Sequence, residues 1–65
     1  MKPKTDVQVK LTGRHGNVFV VIGRVSGALK HAGHHALAEE FKREALASHS
    51  YNEVLQLCLR YVEVS

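Results

Sequence analysis

The sequence predicts an α+β fold in which three short helices cover a two-stranded sheet made from the chain ends, in the order β-α-α-α-β. Apolar and polar residues alternate near both ends of the chain, as they do in half-buried strands. Between the ends, apolar residues recur at steps of three and four, which is the spacing of one helix face. Turn-forming residues separate the helical segments. An N-terminal β-hairpin followed by helices is the alternative.

Residues 6–12 and residues 61–64 are the two predicted strands. Their apolar members are Val7, Val9 and Leu11 in the first segment and Val62 and Val64 in the second. We expect the two strands to pair, in an orientation that the sequence leaves open. A sheet of two strands is marginal and has open edges. Either an edge pairs with a second copy in a homodimer, or its lysines and short length protect it.

The stretch from Gly13 to Gly33 predicts a turn followed by the central helix. Asn17 is a good helix N-cap, and Gly33 suits the left-handed position beyond the helix end. One helix face consists of Phe19, Ile22, Val25 or Ser26, and Leu29. Residues 18–22 are also five β-formers in a row, so a hairpin strand competes. The helix is favoured because the spacing of three and four continues to Leu29.

Two further helices follow. Residues 36–47 carry an apolar stripe of Leu37, Ala38, Phe41 and Ala45. Ser50 and Glu53 then form a capping-box pattern, which predicts a third helix from Tyr51 to about Arg60. Its inward residues are predicted to be Val54, Leu55, Cys58 and Leu59.

A chain of 65 residues is one domain near the lower size limit for folding alone. We expect residues 1–5 to be a flexible basic tail and residues 6–65 to be a single compact domain. Cys58 is the only cysteine and lies in an apolar helical pattern, so a buried, inert thiol is predicted. The N-terminus lacks the apolar region of a signal peptide, and no stretch is as apolar as a membrane span. A cytoplasmic protein without membrane contact is expected.

The net charge of +3 is unevenly distributed. Residues 1–33 contain six lysines and arginines against Asp6 alone, which permits a basic face for nucleic acid. The turn at residues 13–17 precedes a helix N-terminus and could hold an anion on its backbone N–H groups. The candidate anion or nucleic-acid contacts are Lys10, Arg14, His15, Arg24 and Lys30. Aromatic residues make up only 6% of the chain, which leaves little to stack on bases.

Several motifs together resemble a group of small uncharacterised proteins encoded in bacterial and phage genomes. They are the VQVKLTG strand, the GN-x-F-x-x-IG-x-V-x-x-AL-x-x-AG helix, the F-x-x-EA helix, the S-Y-x-E-x-L turn and the terminal YVEV. The resemblance covers nearly the whole chain and implies one compact domain. Because its motifs are turns, caps and core positions, it implies no activity or ligand. Where that group has an acidic residue in the turn, this chain has Arg14 and His15.

The sequence favours neither metal binding nor catalysis. His31 and His35 would share a face of one continuous helix, but Gly33 is expected to end the helix between them, and no cysteine is close in sequence. Ser50 and Glu53 are explained by capping. We therefore predict no enzyme, no metal site and no cofactor. The expected function is an interaction module that binds an unknown protein, or itself as a homodimer, through a sheet edge or a helical groove. The alternative is a nucleic-acid-binding accessory protein.

Overall fold

The computed structural model describes residues 2–11 and 17–64. Its elements are β1 (Gln8–Val9), α1 (Val18–His31), α2 (His35–Leu46), α3 (Tyr51–Tyr61) and β2 (Glu63–Val64). The predicted α+β class and element order are confirmed. In this part of the chain, no helix is long and apolar enough to cross a membrane.

Helix α1 begins where the sequence predicts. The Asn17 side chain accepts the backbone N–H of Phe19 at 2.9 Å, so Asn17 caps the helix. Residues 18–22 are helical, and the alternative prediction of a hairpin strand over them is therefore wrong. The turn predicted at residues 13–16 lies outside the described residues.

Helix α1 ends in a glycine turn that leads directly into α2. Gly33 has a φ of 91°. The N–H groups of Gly33 and His34 donate to the carbonyls of Lys30 and Leu29, at 3.0 Å and 2.8 Å. These two bonds form a Schellman motif, in which glycine is the favoured residue. The prediction of a left-handed Gly33 is confirmed.

The chain ends pair as a parallel sheet. The paired residues are Gln8 with Glu63 and Val9 with Val64. Parallel strands need a long crossover connection, and here the three helices provide it. Each strand has only two residues, fewer than the predicted segments, because α3 continues through Tyr61 and leaves few residues for β2. Thr12, the last residue of the predicted first strand, lies outside the described residues.

The segment before β1 is attached to the end of α3. The N–H groups of Lys4 and Thr5 donate to the carbonyls of Arg60 and Tyr61, at 2.8 Å and 3.2 Å. The Thr5 hydroxyl is buried, donates to the Tyr61 carbonyl at 2.7 Å and accepts the Val7 N–H at 3.2 Å. The sequence predicts a flexible tail through Thr5, whereas these bonds place Lys4 and Thr5 in the packed domain.

The core lies between the three helices and the sheet. Its largest fully buried side chains include Tyr61, Phe41, Leu29, Val21, Val25, Val54, Val62 and Cys58. The Phe41 and Tyr61 rings pack edge to face with centroids 5.4 Å apart. On α2, Ala38, Phe41 and Ala45 are buried as predicted.

On α1 the inward face differs from the prediction by one position in the first turn. Ile22, Val25, Ser26 and Leu29 are buried as expected, but Phe19 is 67% exposed. Val18 packs against the core in its place, because it lies four residues before Ile22 on the same helical face. Phe19 is rotated about 100° further around the helix, and it therefore points outward.

On α3 the inward residues are Val54, Leu57, Cys58 and Tyr61, which follow the helical spacing. The predicted inward position of Leu59 is wrong, since this side chain is 52% exposed. Tyr61 belongs to the helix and completes its apolar stripe. Without Tyr61 in the helix, the spacing favours Leu55 and Leu59, which lie on the other side of Val54 and Cys58 from Leu57 and Tyr61.

Candidate protein interface

Three helix ends meet at one corner of the molecule: the N-termini of α1 and α3 and the C-terminus of α2. They border an open groove of about 360 Å³. The apolar side chains that line it are Val18, Phe19, Ile22, Ala45, Leu46, Tyr51 and Val54. The buried members of this set form its floor, while others project toward solvent.

Large apolar side chains are exposed around this groove. Phe19 is 67% exposed, Leu46 57% and Tyr51 38%, and Val20 beside Phe19 is 41% exposed. We call Phe19, Leu46 and Tyr51, which line the groove, the apolar corner. Among the described residues, the other large apolar side chains with comparable exposure are Val20 and Leu59, and neither lines this groove. A cluster of exposed apolar side chains is typical of an interaction surface, whereas a single one is common anywhere.

A short capped loop fixes the position of the corner. The Ser50 hydroxyl accepts the Glu53 N–H at 3.1 Å, which begins α3 one residue later. The Glu53 carboxylate accepts the N–H of His49 at 3.1 Å, whereas the capping-box pattern predicts a bond from the N–H of Ser50. On the other side, the Ser48 hydroxyl donates to the Glu44 carbonyl at 3.1 Å and closes the end of α2. These bonds hold Leu46 and Tyr51 on either side of the groove.

The charged residues nearest the apolar corner are mainly cations. Lys42 and Arg43 lie one turn before Leu46, and Arg24 lies on the outer side of α1 with its guanidinium at the Lys10 carbonyl. The one nearby acidic residue of α3, Glu53, is used in its cap. The corner therefore has an apolar centre with a mainly basic border.

The candidate nucleic-acid contacts are distributed over different parts of the molecule. Lys10 and Arg24 come together, since the Arg24 guanidinium donates to the Lys10 carbonyl at 3.3 Å. Lys30 lies near the other end of α1 and pairs with Glu39 at 3.5 Å. Arg14 and His15 lie outside the described residues. The described members of this set thus form one two-residue group and one separate, paired lysine.

The most extensive polar cluster is centred on a buried hydroxyl. The Tyr61 hydroxyl lies 2.6 Å from carboxylate oxygens of both Glu40 and Glu44. The Lys4 ammonium is 2.8 Å from Glu40 and 4.8 Å from the centroid of the Tyr61 ring. Burial, followed by the two carboxylates, raises the pKa of Tyr61, so the phenol stays protonated at neutral pH. The hydrogen bond from Lys4, with that from Tyr61, lowers the pKa of Glu40. The cluster joins the segment before β1 to α2 and α3.

The cysteine is held in its unreactive form. Cys58 is fully buried, and burial raises its pKa to about 11. The thiolate is the reactive species, and it is scarce at neutral pH when the pKa is this high. The sequence-based prediction of a buried thiol is confirmed.

The histidines flank the turn between α1 and α2. His31 is the last residue of α1 and His35 the first of α2, while His34 lies in the turn between them. The helix ends between His31 and His35, as expected from Gly33. Within residues 2–11 and 17–64, no group of three histidine, cysteine or acidic side chains is arranged to hold a metal ion.

Comparisons with known proteins identify no relative of this chain. The chain matches no protein-family model, and no curated protein or solved structure is significantly similar to it. The resemblance to small bacterial and phage proteins stays a prediction. Its structural motifs do correspond to caps and turns in the fold, as at Asn17, Gly33 and Ser50.

The sequence alone does not predict the exposed apolar side chains as a site. Two features of the sequence nevertheless indicate their exposure. Val18 fits the inward face of α1 better than Phe19 does, because Val18, Ile22, Val25 and Leu29 are spaced by four, three and four residues. Leu46 lies directly after Ala45, at the edge of the apolar stripe of α2.

Proposed function

We propose that this chain is a small, non-enzymatic module that binds another protein through the apolar corner. The single observation that carries the proposal is the exposure of Phe19, Leu46 and Tyr51 around one groove. Their burial in a complex would remove apolar surface from water, which is the main favourable term in most protein association. The lone buried Cys58 is in keeping with a reducing, cytoplasmic setting.

The helical corner supports the proposal better than a sheet edge does. Each strand contributes only two residues to the sheet, and such short edges offer few backbone groups to a pairing strand. The guanidinium of Arg24 also reaches the carbonyl just after β1. A homodimer, where it forms, would therefore use the corner rather than an extended sheet.

Binding to nucleic acid is the second candidate function. The observation that favours it is the approach of Arg24 to Lys10. Against it, two lysines of the basic N-terminal half are paired with acids, Lys4 with Glu40 and Lys30 with Glu39. Phosphate contacts would make binding to DNA or RNA fall steeply with salt. The double variant Lys10→Glu with Arg24→Glu should abolish such binding if it occurs.

The test compares co-purification from the cells that make the protein. Wild type, the double variant Phe19→Ser with Leu46→Ser, and the matched control Leu59→Ser are tagged, and their bound proteins are quantified by mass spectrometry. The strongest co-purifying protein is then purified and titrated against all three. We expect affinity to fall about tenfold or more in the corner variant only, which corresponds to about 1.4 kcal/mol. Equal affinity of the corner variant and the control would overturn the proposal.

A further inference from the structure

We infer that the occupant of the apolar corner is an amphipathic helix of another protein, with acidic residues flanking its apolar face. The inference rests on the proposed function and specifies the partner of the same surface. It depends on two properties of α1 and α2 near the corner: the shape of the outer face of α1 and the sign of the surrounding charge.

The shape of α1 leaves room for a helix. Phe19, Gly23 and Gly27 are spaced by four residues and follow one another along the outer face of α1. A Cβ atom placed on either glycine would have no neighbouring side chain or other element within 4 Å. From Phe19 to Lys30 this side of α1 is about 16 Å long, which matches about three turns of a docked helix. The apolar end of this face is continuous with the groove beside Leu46.

The charge around this face selects an acidic partner. Arg24 makes no salt bridge among the described residues, and its guanidinium donates to the Lys10 carbonyl at 3.3 Å on one flank of this face. On α2, Glu39 lies 3.5 Å from Lys30 and 3.9 Å from Lys42, so one carboxylate is shared by two lysines. Arg43 adds a further cation one turn before Leu46. Acidic residues on both sides of an apolar stripe would complement this border, and complementary charge speeds association and suppresses wrong partners.

A second copy of the chain fits the surface less well. Its own corner would bring the same cations, and the chain as a whole has a net charge of +3. Like charges across an interface are unfavourable. A dimer formed through the corner is therefore an outcome that would contradict the inference.

Two designed peptides provide the probe. Each is a helix whose leucine stripe covers at least the three turns of this face; one carries glutamates beside the stripe and the other carries lysines at the same positions. Fluorescence anisotropy measures the binding of each peptide to the full chain at low and moderate salt. We expect the glutamate peptide to bind about tenfold or more tightly than the lysine peptide at low salt, with a smaller ratio at higher salt. Equal binding, or tighter binding of the lysine peptide, would overturn the inference.

Variants locate the peptide on the surface. Arg24→Glu combined with Arg43→Glu should reduce or reverse the preference for the glutamate peptide. Gly23→Gln combined with Gly27→Gln should weaken binding about tenfold by filling the face with polar side chains, while circular dichroism shows that the helices are retained. Leu59→Ser is the control and should bind as wild type does. If neither the arginine variant nor the glycine variant changes peptide binding, the peptide binds elsewhere and the inference is overturned.

The failure of the inference is distinguishable from failure of the proposed function. If neither peptide binds, but a co-purified protein loses affinity for the variant with Phe19→Ser and Leu46→Ser, the acidic-helix partner is wrong and the protein-binding corner stands. If the chain sediments as a dimer that the same variant dissociates, the occupant is a second copy. If the variant affects no partner at all, the proposed function fails with the inference.

Discussion

Replacing the two exposed glycines of α1 by alanine should stabilise the protein. Gly23 and Gly27 lie inside the helix, and a Cβ at either position would meet no neighbour within 4 Å. The change therefore introduces no clash and fills no cavity. Its effect on stability comes only from the backbone preferences of alanine and glycine. Alanine in a helix interior is about 1 kcal/mol more favourable than glycine, partly because glycine gives the unfolded chain more freedom. The double variant should gain about 2 kcal/mol in the free energy of unfolding.

The assay is urea and thermal unfolding followed by circular dichroism at 222 nm. For a domain of this size, about 1 kcal/mol shifts the midpoint of thermal unfolding by about 4 to 8 °C, so we expect an increase of about 8 to 16 °C. Gly33→Ala is the matched control. Its φ of 91° is strained for alanine, so this variant should lose about 1 to 2 kcal/mol. Unchanged or lower stability of the Gly23→Ala and Gly27→Ala variants would refute the open, helical environment of these positions.

Three further predictions concern the polar contacts and the thiol. Thr5→Val should cost about 1 to 3 kcal/mol in urea unfolding, because the buried hydroxyl bonds two backbone groups; an unchanged midpoint would contradict this. Because the pKa of Glu40 is lowered in the fold, its stabilising effect is present above the usual value of 4.5 and is lost as the pH falls below it. The free energy of unfolding, measured above and below pH 4.5, should fall less with acid in Lys4→Met than in wild type. An identical pH profile in the two proteins would argue against the Lys4–Glu40 pair. Finally, the native Cys58 thiol should react with a thiol reagent at pH 8 far more slowly than the urea-unfolded chain does, since its pKa is raised to about 11; equal rates would refute its burial.

Local signals in the sequence predicted the helices well. Asn17 and Ser50 act as N-caps and Gly33 as the left-handed terminator, because each of these functions depends on backbone groups within a few residues. The same signals fixed the element order. A parallel orientation of β1 and β2 depends on how the three helices cross between the strands, and alternation of side chains within each strand does not specify it.

The candidate site was harder to predict because it depends on how helices are rotated in the fold. Phe19 fits a three-residue step to Ile22, so the spacing alone predicts a core position for it. Val18 also fits, by a four-residue step, and the packing of α1 selects it. A rotation of about 100° per residue separates a core position from a surface one. The sequence does not predict which charged side chains pair, because the pairs Lys4–Glu40 and Lys30–Glu39 join residues that are distant in sequence.

The most direct test of the protein-binding corner is site-specific photo-crosslinking in the cells that make the protein. A photoreactive phenylalanine analogue replaces Phe19 in one variant and Leu59, the exposed apolar residue outside the groove, in another. Because position 19 projects from the apolar corner, we expect it to form a discrete adduct with one protein, which unlabelled wild type competes away. Position 59 should not form this adduct. Adducts of equal yield at both positions, or an adduct at position 59 alone, would contradict the assignment of the corner as the binding surface.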